Sequence, residues 1–126
     1  MADFKKYFII DATPEELYAA LTFKPTIELW TGSPATFVPV VGSEFALWDE
    51  SILGKNLDFI PHKLIKQQWY FGDEPEESIV TLKLHEHKKG TSLEVIQTNI
   101  PDEAYDDIVD GWQNYYIRSL VEFYSE

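Results

Sequence analysis

The sequence predicts an α+β domain in which a curved antiparallel sheet of about seven strands folds around a long C-terminal helix, with two short helices after the first strand. Two patterns carry this expectation. From residue 35 to residue 99 the chain reads as strand-like runs broken by short turn signals, and from 102 to 124 aromatic and aliphatic residues recur at three- and four-residue steps.

The first strand is expected at 4–11 (FKKYFIID), rich in aromatic and β-branched types. A helix should follow at once. Thr13 is a natural N-cap, Pro14 suits the first helical position, Glu16 stands where a capping box needs its acid, and Leu17, Ala20 and Leu21 form one apolar face. Residues 25–32 (PTIELWTG) predict a second short helical turn ended by Gly32, with Trp30 too large to leave in water cheaply.

Six further strands are expected at 35–39, 43–49, 51–60, 63–71, 77–87 and 91–99. The turns between them fall at Val41-Gly42, Asp49-Glu50, Pro61-His62, Asp73-Glu74-Pro75 and Lys88-Lys89-Gly90, short enough to favour an antiparallel meander. Alternation puts Val80, Leu82 and Leu84 on one face, opposite Thr81, Lys83 and His85, and Phe45 and Leu47 opposite Glu44, Ala46 and Trp48. Ile65, Gln67, Trp69 and Phe71 form a mixed set, so Gln67 is a candidate polar group in an apolar interior.

In the last segment Tyr105, Ile108, Val109, Trp112, Tyr115, Tyr116, Leu120, Phe123 and Tyr124 make one broad helical stripe that must lie on the sheet. Asp102 and Glu103 suit the positive end of its dipole, and Arg118 lies in its later half. Gly111 costs about 1 kcal/mol relative to alanine in a helix interior. Close approach of another backbone, or of the Trp112 ring, is the expected compensation.

Composition narrows the function classes. A chain of 126 residues holds one core and one domain, spanning 1–126, and its 44% hydrophobic and 15% aromatic content predicts folding despite a net charge of −12. With 22 acids against 10 bases and no basic run, binding to nucleic acid is not expected. The absence of cysteine removes disulfides, thiolate metal sites and cysteine nucleophiles. The opening MADFKKYFII enters a strand pattern with no signal-peptide stretch, and no apolar run reaches membrane-spanning length. A cytoplasmic protein without a membrane span is expected.

The order of elements resembles the helix-grip, START-like (Bet v 1-like) superfamily. Within it, Ala12-Thr13-Pro14-Glu15-Glu16-Leu17-Tyr18, Leu29-Trp30, Val41-Gly42-Ser43-Glu44-Phe45, the segment from Lys63 to Trp69, and Gly111-Trp112-Gln113-Asn114-Tyr115-Tyr116 resemble the activator-of-heat-shock-protein-90-ATPase homologue family. SPATF, the Gly-Lys-Asn strand and GWQNYY look closest to the C-terminal domain of the eukaryotic activator. The resemblance spans nearly the whole chain and implies a helix-grip domain that docks a chaperone of the heat-shock-protein-90 type. It also implies that the activator's other half, which binds the chaperone's middle segment, is missing here, so binding without full ATPase stimulation is expected.

Each candidate site has a structural alternative. His85 and His87, two apart on a strand, point to one side as metal ligands would, but no third ligand is near, so a structural or surface role is expected, and no metal or other cofactor. His62, in a turn, has less claim. The acids Asp73, Glu74, Glu76 and Glu77, and Asp102, Glu103, Asp106, Asp107 and Asp110, match no EF-hand loop and read as solvated surface. Asp102, Asp106 and Asp107 are the candidates for meeting a basic partner.

Nucleophile, phosphate-loop and zinc-protease motifs are absent. Gln67, Gln97, Tyr115 and Tyr116 could serve a cyclase-like pocket enzyme, or could satisfy one another's hydrogen bonds in a filled core. Trp30, Phe45, Trp69, Phe71, Trp112, Tyr115 and Tyr116 are either packed core or the lining of an apolar cavity. With Leu47, Gln67, Leu82 and Ile108 they are the candidate ligand-binding residues. The expected function is therefore a non-enzymatic binding domain, acting through a chaperone contact or an apolar cavity. A carrier of a small hydrophobic ligand, or a pocket enzyme, is the alternative.

Overall fold

A computed structural model describes residues 1–72 and 76–125. Asp73, Glu74 and Pro75, where the sequence predicts a turn and part of an acidic cluster, lie outside the described residues.

Six strands, β1 (Ala2–Ile10), β2 (Glu44–Leu47), β3 (Ile52–Ile60), β4 (Leu64–Trp69), β5 (Ser78–His87) and β6 (Gly90–Ile100), form one sheet in the order β1-β6-β5-β4-β3-β2. Every neighbouring pair is antiparallel, so β2 to β6 run as a meander and β1 closes onto the last strand. The alternation is as expected, with Val80, Leu82, Leu84, Phe45 and Leu47 all buried.

Several strand ends shift by one or two residues, so that β1 is Ala2–Ile10 and β4 stops at Trp69, and the expected count of about seven strands falls to six. Segment 35–39 is not a strand; it makes one isolated bridge, between Thr36 and Ala46. Pro34 and Pro39 flank that bridge, and proline has no N–H to extend a ladder. The strand expected over 43–49 stops at Leu47, because Trp48, Asp49 and Glu50 all take left-handed backbone, with φ of 50°, 52° and 69°.

Helix α1 (Pro14–Thr22) begins with the predicted capping box: the Glu16 N–H donates to Thr13 Oγ1 at 3.1 Å and the Thr13 N–H to Glu16 Oε1 at 2.9 Å. Helix α2 (Lys24–Thr31) ends at Gly32, whose φ of 72° lets its N–H reach the Glu28 carbonyl. The two helices are tied by the Trp30 indole N–H, which donates to the Ala20 carbonyl at 2.7 Å. Among the described residues no helix is long and apolar enough to cross a membrane.

The C-terminal helix is interrupted. A 3₁₀ turn (Asp102–Ala104) leads into α3 (Tyr105–Gly111), a π turn spans Trp112–Tyr116, and α4 (Ile117–Phe123) completes it. The Ile117 N–H reaches back five residues to the Trp112 carbonyl. A π turn advances fewer degrees per residue than an α turn, so it brings Tyr116 into line above Trp112 and carries Tyr115 away from the sheet. Tyr115 is accordingly 62% exposed while Trp112 is 1% exposed.

Close approach of a backbone from elsewhere in the fold does not account for Gly111. Its φ is an ordinary −59°, and a Cβ built there would meet nothing within 4 Å apart from its own chain neighbours and helix backbone.

Candidate functional site

Beneath the C-terminal helix, a polar row crosses the inner face of the sheet. Cross-strand pairing aligns Asn56, Gln67, Val80 and Gln97 on β3, β4, β5 and β6. Gln97 accepts the Trp112 indole N–H at 2.8 Å and donates to Ser78 Oγ at 3.0 Å. Gln67 accepts the Trp69 indole N–H at 3.0 Å and donates to Asn56 Oδ1 at 3.2 Å. Each glutamine thus uses its amide to seat a tryptophan, in accord with the rule that buried polar groups are paired.

On this row stands an aromatic cluster centred on Tyr116. Its ring centroid lies 4.5 Å from Trp112, 5.1 Å from Trp30, 5.6 Å from Trp48 and 6.3 Å from Trp69, so every tryptophan of the chain touches it. Burial pushes the Tyr116 phenol pKa well up, and the residue remains neutral. Its hydroxyl has no hydrogen-bond partner among the described residues. The residue lies on the wall of the adjoining cleft.

That cleft, of about 340 Å³, lies between the β2–β3 turn, the end of β4 and the C-terminal helix. Trp69, Phe71, Ile108, Trp112, Tyr115 and Tyr116 line it, so it brings together six of the residues singled out from sequence. The other five, Trp30, Phe45, Leu47, Gln67 and Leu82, are buried in the core outside the lining. The two readings of the aromatic set therefore overlap: Trp69, Trp112 and Tyr116 are packed core residues that also reach the cleft, while Phe71 and Tyr115 wall it from more exposed positions.

The sequence reading missed Trp48, Ser51, Ile52, Leu53, Tyr70 and Gly111 in that wall. Alternation put Trp48 on the face opposite Phe45, but the left-handed turn swings it back against Trp30, at 5.5 Å, and Tyr116. Its position beside the predicted Asp49-Glu50 turn was the available signal. Gly111 was legible only as an unexplained glycine in a helix.

Of the three acids noted as partner candidates, Asp107 stands on the cleft wall, Asp106 is exposed, and Asp102 pairs with the Met1 amino group at 3.1 Å. Among the described residues no basic side chain lines the cleft. The histidines lie elsewhere. His85 Nε2 is 2.8 Å from Glu94 Oε1, His87 Nδ1 accepts the Lys89 N–H, and the His62 ring meets Tyr18 edge-on. Among the described residues no group of three side chains is placed to hold a metal ion. A broader basin of about 650 Å³, between the start of α1 and the β3–β4 turn, is lined by lysines and glutamates of both signs and has no aromatic walls beyond His62 and His85.

An antiparallel sheet wrapped on a C-terminal helix, with an aromatic cleft where they part, defines a START-like binding domain. The chain belongs to the activator of Hsp90 ATPase homologue family, whose model, described as "Activator of Hsp90 ATPase homolog 1-like protein", matches residues 11–124. It is 29% identical over 119 residues to the mouse activator of 90 kDa heat shock protein ATPase homolog 2, covering 90% of this chain and 36% of the relative. The chain spans about a third of the length of the curated relatives it matches. A solved HSP90 activator from Plasmodium falciparum shares 25% identity at a TM-score of 0.83, covering 92% of this chain and 91% of that one. A Mesorhizobium loti protein shares 25% identity at a TM-score of 0.82, covering 96% and 95%.

Proposed function

We propose that this chain is a non-enzymatic binding domain that docks a chaperone of the Hsp90 type, with the aromatic cleft as the contact face. The observation that carries this reading is the convergence of three local departures from good helix and strand chemistry on the walls of one cleft. The left-handed run at Trp48, Asp49 and Glu50 costs on the order of 1 kcal/mol or more per residue. Gly111 weakens the helix with no close approach from another element to require it, and the π turn follows it directly. Departures that the rest of the fold does not need are expected at functional sites. A side chain at position 111 would project into the cleft, so the glycine keeps it open.

Family membership supplies the partner class, and the solved Plasmodium relative is itself described as an HSP90 activator. A small hydrophobic ligand in the same cleft is a second reading, favoured by a volume at the lower end of the range of about 300 to 1,000 Å³ for ligand pockets. A cyclase-like enzyme finds less support, because Gln67 and Gln97 already use their amides on tryptophans.

The test is a titration of the protein into the Hsp90 homologue of its own source, with nucleotide present, following binding and ATP hydrolysis. Binding that Gly111→Leu abolishes while the melting temperature holds would support docking at the cleft. Absence of binding at low salt to an otherwise active chaperone would remove the reading and leave the small-ligand carrier.

A further inference from the structure

We propose that the cleft receives the guanidinium end of an arginine side chain presented by the partner. This rests on the docking reading above and names the chemistry of its contact. Three features of the cleft select a cation rather than an apolar group.

The first is its walls. The half-buried Trp48 indole and the exposed Tyr115 ring line the space above the stacked Trp69–Trp112 pair, and an aromatic face carries a negative quadrupole that attracts a cation lying over it. The second is charge. Among the described residues Asp107 on the wall has no ion-pair partner and no basic side chain lines the cleft, and the chain as a whole carries −12. The third is the Tyr116 hydroxyl, on a residue only 4% exposed, which has no hydrogen-bond partner among the described residues.

Seating a purely apolar side chain here would strip water from the Asp107 carboxylate and the Tyr116 hydroxyl and return nothing to either, which is unfavourable for both. A guanidinium answers each feature at once. Its plane stacks on indole, its N–H groups can donate to both the hydroxyl and the carboxylate, and its alkyl stem suits the apolar part of the wall. A lysine ammonium is a strongly hydrated point charge with no plane to stack, and it fits less well.

The experiment uses n-butylguanidinium and its neutral isostere n-butylurea, each titrated into ¹⁵N-labelled protein while the tryptophan indole N–H resonances are followed. The guanidinium is expected to bind about tenfold more tightly than the urea and to move the Trp69 and Trp112 signals. Asp107→Asn should remove most of that preference, weakening guanidinium binding far more than urea binding. Tyr116→Phe, which deletes a hydroxyl with no hydrogen-bond partner among the described residues, should weaken guanidinium binding with the fold intact. n-Butylguanidinium should also compete with the Hsp90 homologue, and Asp107→Asn should weaken that complex.

Equal binding of the two probes overturns the inference even where the chaperone still binds. A guanidinium preference without competition against the chaperone also overturns it, in favour of a free organic cation. A chaperone that does not bind at all overturns both this inference and the docking reading.

Discussion

The Trp69 and Trp112 indoles stack 4.9 Å apart and 19° from parallel, one from the sheet and one from the C-terminal helix, and each gives its N–H to a buried glutamine. This pair joins the two layers of the fold and forms the floor of the cleft. Trp112→Ala should destabilise the domain by about 3 to 5 kcal/mol, since a buried ring is lost and Gln97 Oε1 is left without its donor. A urea titration with a change below about 1 kcal/mol would mean that the helix is not gripped through this ring.

Gly111→Ala should do the reverse. Helical backbone and empty space around the added methyl predict a gain of about 1 kcal/mol in a denaturant titration. Chaperone binding should weaken in the same variant, because the methyl enters the cleft. A stabilised protein with unchanged binding would place the contact elsewhere.

Gly54 on β3 differs from Gly111. A Cβ there would run into the Gln68 carbonyl and come within 2.7 Å of the Phe45 ring, both parts of the packed sheet. Gly54→Ala should therefore lower stability by about 1 to 3 kcal/mol, as overpacking does. Thermal melts of the two glycine variants should move in opposite directions.

Acid should weaken the outer face of the sheet at Glu94. The hydrogen bond with His85 holds the Glu94 carboxyl pKa below its ordinary 4.5; partial desolvation opposes this and the nearby Lys5, at 3.5 Å, assists it. A carboxylate whose pKa is depressed by folding stabilises the fold fully above its unfolded value. That contribution fades as pH falls through the lower folded value. Urea titrations should show a Glu94→Gln deficit at neutral pH that shrinks below pH about 4. A deficit constant across that range would mean that the ion pair contributes nothing.

Salt should slow the chaperone encounter. Raising ionic strength from about 0.01 M to about 0.15 M shortens the Debye length from about 30 Å to about 8 Å, so a contact steered by Asp106 and Asp107 should weaken. Charge reversal of both acids should reduce the association rate more than it raises the dissociation rate. Stopped-flow rates insensitive to salt and to reversal would count against steering by this surface.

Much of the architecture was legible because its causes are local. The capping box at Thr13 and Glu16 needs residues three apart, and the inward set of Val80, Leu82 and Leu84 needs only period two. The stripe that includes Trp112 and Tyr116 likewise follows from helical repeat, and the resemblance already indicated the family. Less was legible at the cleft. Hydrophobic patterning is the same for an aromatic ring that fills the core, as Trp30 does, and for one that walls an opening, as Tyr115 does.

The sequence by itself determined the α+β class, the helix starts, most strand faces and the acidic, cysteine-free surface chemistry, because each depends on neighbours in the chain or on composition. Only the tertiary structure decided that Trp48 turns inward through left-handed backbone, that Gln67 and Gln97 seat two stacked indoles, and that no other element approaches Gly111. Those outcomes depend on groups far apart in sequence, among them the β2–β3 turn, the end of β4 and the C-terminal helix. Packing can hold a strained turn or leave a space where these elements meet, and no local pattern encodes the shape of that meeting.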